Sequence, residues 1–157
     1  MGSRKIKKPH LKRPVLGAFT PQAAKRPIAG VPDRRNYMGS NPSWRFQEID
    51  HDGPHGWDQI TRQDLQDVLK SLKDFETQTW NAIFVTAKYQ HHSVPITGMI
   101  PAARKRLVNL KKDDIDEIHR LRLTNKWRVW GIFREGTFAL LWWDPKHEIC
   151  PSMGPNN

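Results

Sequence analysis

The tightest constraint on this chain lies in residues 119–143, where three strand-like runs follow one another with almost nothing between them. Residues 119–124 (HRLRLT) alternate, residues 127–133 (WRVWGIF) are rich in aromatics, and residues 137–143 (TFALLWW) run apolar. Glu135-Gly136 between the last two is a two-residue hairpin connection. Placing Arg134 opposite Thr137 sets Phe133 against Phe138, Val129 against Trp142 and Arg128 against Trp143. For the first hairpin, a three-residue loop, Thr124-Asn125-Lys126, sets Leu123 against Trp127, Leu121 against Val129 and Arg122 against Arg128. A two-residue loop would pair Leu123 with Arg128 and mix the faces, so the pattern selects the longer loop.

The expected meander is two-faced. Leu121, Leu123, Trp127, Val129, Phe133, Phe138, Leu140 and Trp142 line one side, where helices can cover them. Arg120, Arg122, Arg128, Arg134, Trp130 and Trp143 line the other. Guanidinium groups interleaved with indoles suit a single-stranded nucleic acid, with charges for phosphates and flat faces for bases. The plainer alternative is a solvated arginine face with both tryptophans packed under a loop or the N-terminal arm.

Upstream, residues 44–50 (WRFQEID) read as a short strand closed by the turn-rich HDGPHG. From Thr61 to about Lys88, the residues Leu65, Val68, Leu69, Leu72, Phe75, Trp80, Ile83 and Ala87 predict one buried face of a long helix, with Thr61 as N-cap. A break at His91, His92 and Pro95 follows. Pro101 suits the first turn of a second helix through Leu110, and residues 113–118 offer a last helical turn. The expected fold is α+β: a small antiparallel sheet, one N-terminal strand plus the three-stranded meander, with two helices on one face.

The formal charge of +10 divides unevenly over the 157 residues. Residues 1–42 hold ten Lys or Arg against one acid, Asp33, and six of the twelve prolines. They are expected to form a disordered basic arm, either a non-specific holder of RNA, DNA or an acidic partner, or a solubilising extension. The domain is expected over residues 43–152, with a short tail at 153–157. Its bases are sorted: residues 104–134 carry ten against four acids, and residues 43–76 four against eight. A single cysteine, Cys150, rules out a disulfide framework and a cysteine-cluster zinc site. No stretch approaches the roughly 18 apolar residues of a membrane helix, and residues 1–30 lack a secretory h-region, so a cytoplasmic protein without a membrane partner is expected. His51 and His55 are four apart, but Gly53 and Pro54 between them remove the helix that would gather a metal, and the adjacent His91 and His92 point apart on an extended chain, so no metal is expected.

The run RKRLVNL at residues 104–110 and HRLRLTNKWRVWGIFREGTFALLWWDPKHEICP at residues 119–151 resemble the RelE/ParE toxin superfamily. In that family a Lys/Leu-rich segment leads into a strand of alternating arginine and apolar residues. An aromatic-Arg strand, a short turn, an apolar strand and a basic C-terminal turn follow. Trp127-Arg128-Val129-Trp130 stands for the central strand and Asp144-Pro145-Lys146-His147 for the last turn. The resemblance implies a metal-independent endoribonuclease toxin with no cofactor. It would cleave messenger RNA, ribosome-bound included, and be partnered by a small antitoxin protein; a non-catalytic gyrase-poison or nucleic-acid-binding relative is the alternative. Arg128, with Arg122 beside it, matches the family's phosphate-stabilising arginine. Lys146 and His147 lie where such enzymes place basic groups, with His147 as acid or base and Glu148 as complementary base. Arg120, Arg134, Trp130 and Trp143 would contact the nucleic acid. Glu148-Ile149-Cys150 departs from the family's C-terminal tyrosine, whose role is therefore not carried over.

Overall fold

The computed structural model of the chain describes residues 36–151. Most of the expected arm, residues 1–35, and the tail from residue 152 lie outside the described residues. Asn36–Pro42, which the sequence assigns to the arm, belongs to the fold. Tyr37 packs edge-on against Phe133 at 5.8 Å, and the Asn41 amide donates to the Glu76 carbonyl at 2.7 Å.

The fold is α+β. Strands β1 (Ser43–Arg45), β2 (His92–Pro95), β3 (Glu117–Arg122), β4 (Arg128–Arg134) and β5 (Thr137–Asp144) form one sheet in the order β1-β5-β4-β3-β2. The expected β3–β4–β5 meander is present, with Arg122 opposite Arg128 and Phe133 opposite Phe138. Glu135 (φ 49°) and Gly136 (φ 80°) both take left-handed backbone in the tight turn between β4 and β5. Two expectations about the sheet's strands need correction. The sheet is mixed, because β1 runs parallel to β5, and it gains an edge strand, β2, from the segment read as a break.

Helix α1 spans Arg62–Phe75, with the Asp64 N–H donating to the Thr61 hydroxyl at the N-cap (3.1 Å). Val68, Leu72 and Phe75 are its buried residues, spaced along one face. The expected continuation to Lys88 fails after Phe75. The next apolar residue, Trp80, comes five positions on, out of phase with the helix. Thr77 and Thr79 also bond their hydroxyls to nearby backbone groups, which competes with helical pairing. Trp80 enters the core and donates its indole N–H to the Gly136 carbonyl (2.8 Å) before a π-helical turn, Ala82–Thr86. Helix α2 spans Pro101–Asn109 with proline in its first turn. Residues 113–116 form no helix, and Glu117 already begins β3.

The helices cover opposite faces of the sheet, not one. Beneath α1 lie Leu121, Val129, Phe138, Leu140 and Trp143; beneath α2 lie Ile118, Trp130, Leu141 and Trp142. A register shift between Trp130 and Gly131 changes which residues of β5 meet each helix. Trp130 pairs with Trp142 and Gly131 with Leu140, so Leu141 has no partner across the ladder. Its carbonyl is taken instead by the Asp50 N–H (3.0 Å) and the Trp57 indole N–H (3.2 Å). Such a bulge reverses the alternation beyond it. Val129 therefore faces Trp143, not Trp142, and Arg128 faces Asp144, not Trp143. The crossing is tight at Gly131, where a Cβ would collide with the Phe138 ring and the Ala139 carbonyl.

Candidate phosphate site

Strand geometry puts Arg120 and Arg122 on one face of β3, two residues apart. The register then places Arg128 opposite Arg122, His92 of β2 opposite Arg120, and Asp144 of β5 opposite Arg128. Three arginines are thus gathered by backbone pairing alone. Arg122 donates to the Thr124 carbonyl (3.2 Å) and the Asn125 side-chain oxygen (2.7 Å). Arg128, only 4 % exposed, donates to the carbonyls of Thr124 (2.8 Å), Trp127 (3.0 Å) and Asn125 (3.2 Å). These partners are neutral. Among the described residues no carboxylate forms an ion pair with any of the three arginines.

Asp144 is fully buried and already engaged. It accepts the Trp130 indole N–H (3.2 Å) and the backbone N–H groups of Glu148 (2.9 Å) and Ile149 (3.2 Å). Those bonds fold the turn after β5 back over the sheet. His147, in left-handed backbone (φ 60°), reaches Arg120 with Nε2 2.8 Å from Nη1. A guanidinium only donates, so Nε2 of His147 accepts and the ring's proton sits on Nδ1. The buried Nε atoms of Arg120 and Arg128 make no hydrogen bond, leaving donors unused at a cost of about 1–3 kcal/mol each.

The cluster's charge is expressed in its titrations. Burial, then the neighbouring Arg120 and Arg122, brings Arg128 down to about 10. Burial, then the three arginines, brings His91 down to about 4. Burial followed by Arg128 and Arg120 lowers His147, and burial followed by Arg120 lowers His92. The local field therefore repels further positive charge and favours an anion.

Arg120, Arg122, Arg128 and His147 are brought together. Lys146 is exposed on the same turn, and Glu148 supplies its backbone N–H to Asp144 while its side chain lies exposed. Trp130 and Trp143 cannot act as stacking platforms, since they are 0 % and 3 % exposed and belong to the two cores. Arg134 sits at the far end of β4, six residues or about 20 Å from Arg128. There it lines a separate cavity of about 810 Å³ with Arg45, Lys111 and Lys112. His51 bonds Asp58 (2.8 Å), and His55 packs beside Trp142. Among the described residues no group of three or more His, Cys, Asp or Glu is placed to hold a metal ion, and no helix is long and apolar enough to cross a membrane.

The sequence reading missed His91, His92 and Asp144. Residues 92–95 (HSVP) carry no alternation that marks β2; only the pairing with β3 places His92 beside Arg120. In comparisons with known proteins, the chain matches no family model, no curated protein and no solved structure.

Proposed function

We propose that Arg120 and Arg122, with the buried Arg128 behind them adding its charge, bind the phosphodiester of RNA, and that the chain is a metal-independent endoribonuclease of the toxin kind implied by the RelE/ParE resemblance. The observation that carries this reading is an arginine cluster that, among the described residues, makes no ion pair with a carboxylate, the nearby Asp144 being engaged by Trp130 and two backbone N–H groups, with a neutral imidazole against one guanidinium. The guanidinium groups stabilise the charge that accumulates on the phosphate as the 2′-oxygen attacks. When Arg120 turns to the phosphate, Nε2 of His147 is freed to take the 2′-hydroxyl proton. The described order differs from the expected strand, helix, helix and meander by the edge strand β2, which lies between the two helices.

The test is purified protein on single-stranded RNA with chelator present. Cleavage to 2′,3′-cyclic phosphate ends is expected, falling by roughly 100-fold or more in His147→Ala and Arg120→Ala. Equal background cleavage by wild type and both variants would remove the enzyme reading. Induced expression probes the toxin aspect, with growth arrest and cut messenger RNA expected.

One observation favours a second reading, a non-catalytic interaction protein. Arg122 and Arg128 commit donors to loop carbonyls, as structural arginines do. Arginine-dependent RNA binding with intact RNA would establish that reading.

A further inference from the structure

Cleavage by 2′-hydroxyl attack needs two proton transfers, one from the attacking oxygen and one to the leaving oxygen. His147 serves one of them. We propose that His92 serves the other: Arg120 holds the phosphate between two imidazoles, His147 as the base for O2′ and His92 as the acid for O5′. This assignment rests on the ribonuclease reading above and adds to it a residue on the edge strand β2.

The geometry is built from the sheet. His92 is the cross-strand partner of Arg120, so the two side chains leave the same face. The His92 ring is anchored by Nδ1, 3.1 Å from the Lys88 carbonyl oxygen. A carbonyl only accepts, so Nδ1 carries a proton and Nε2 is the nitrogen that gains or loses one. His147 has the opposite arrangement, with Nε2 accepting from Arg120. The Lys88 carbonyl favours the imidazolium of His92 against burial and Arg120, which together lower it, and so is the contact that suits an acid. His147 presents a lone pair to the cation that would leave it for the phosphate, which suits a base.

The charged groups facing His92 are Arg120 and Arg128; those facing His147 are Arg120, Arg122, Arg128 and Asp144. Burial, then Arg120, lowers His92, and a bound phosphodiester offsets the arginine share of that lowering. In the step itself, the O2′ proton passes to Nε2 of His147 as the O2′–P bond forms. The P–O5′ bond breaks and O5′ takes the proton from Nε2 of His92. Solvent restores both rings.

The experiment compares wild type, His92→Ala, His92→Asn and His147→Ala on two substrates with chelator present. One is a diribonucleotide, and the other a uridine 3′-phosphodiester of 4-nitrophenol, whose phenolate leaves without a proton. Both His92 variants are expected to lose about 100-fold on the diribonucleotide yet stay within roughly threefold of wild type on the aryl ester. His147→Ala should lose on both. The asparagine variant keeps an amide donor at the position of Nδ1 for the Lys88 carbonyl, so equal losses in the two variants exclude loss of that anchor as the cause. Full activity of the His92 variants on the diribonucleotide, equal losses on both substrates, or rescue of His147→Ala by the aryl ester would each overturn the assignment while leaving the ribonuclease intact. A wild type inert on both substrates overturns the ribonuclease reading and this inference with it.

Discussion

His91 and His92 are adjacent in the chain, but strand geometry turns them to opposite sides, and they do different work. His92 faces the arginines, whereas His91 lies edge-on to Phe75 of α1 (5.1 Å) and accepts the Arg122 N–H on Nδ1 (3.1 Å). Burial and the arginines hold His91 at about 4, against 6.5 in the unfolded chain. Because the folded value is the lower one, stability is full above pH 6.5 and is lost as pH falls from 6.5 towards 4, by about 3 kcal/mol in all. Urea midpoints measured between pH 7 and pH 4 should therefore fall more steeply in wild type than in His91→Asn. An equal slope in the two would show that His91 is not the group responsible. The arginines were legible in the sequence because alternation fixes a face. The histidines were not, because nothing local distinguishes a four-residue edge strand from a loop.

At the level of elements, Asp50 ties three pieces together. It is 2 % exposed, pairs with Arg106 of α2 (2.6 and 2.8 Å), and accepts the Trp142 indole N–H from β5 (2.9 Å) and the Gly53 N–H (3.2 Å). Burial alone would raise its pKa, but these donors together hold it below the usual value of 3.8. Its contribution is thus present above about pH 4 and is lost as pH falls through the lowered value. Arg106→Leu leaves the carboxylate buried without its cation and should cost about 3 kcal/mol in chemical denaturation. Gly131→Ala should cost roughly 1–3 kcal/mol, since the Phe138 ring and the Ala139 carbonyl must move. The same region marks the limit of the sequence reading. Alternation gave the β4–β5 register from Arg134 and Thr137 as far as Gly131 and Leu140, then assigned Trp142 and Trp143 to the wrong faces. The bulge depends on Asp50 and Trp57 docking onto Leu141, contacts that span more than eighty residues and leave no local mark.

For the whole molecule, charge and fold are separate matters. All ten bases of the N-terminal segment fall within residues 1–35, so their removal should weaken RNA binding and flatten its dependence on salt. The single-turnover cleavage rate at saturating RNA should not change; a matching loss in that rate would place the segment in the reaction. The α+β class and the meander were legible from pattern alone. Coverage of both faces was not, because β5, buried from Phe138 to Asp144, shows no alternation to reveal it. The pairing of β1 with β5 has a further consequence during synthesis. Trp44 meets Phe138 across more than ninety residues, so the first strand emerges from the ribosome long before its neighbour exists. Until then α1 and Trp80 have no sheet to cover their apolar faces. A chain stopped short of Thr137 would therefore be a ready client for chaperones and proteases rather than a smaller folded protein.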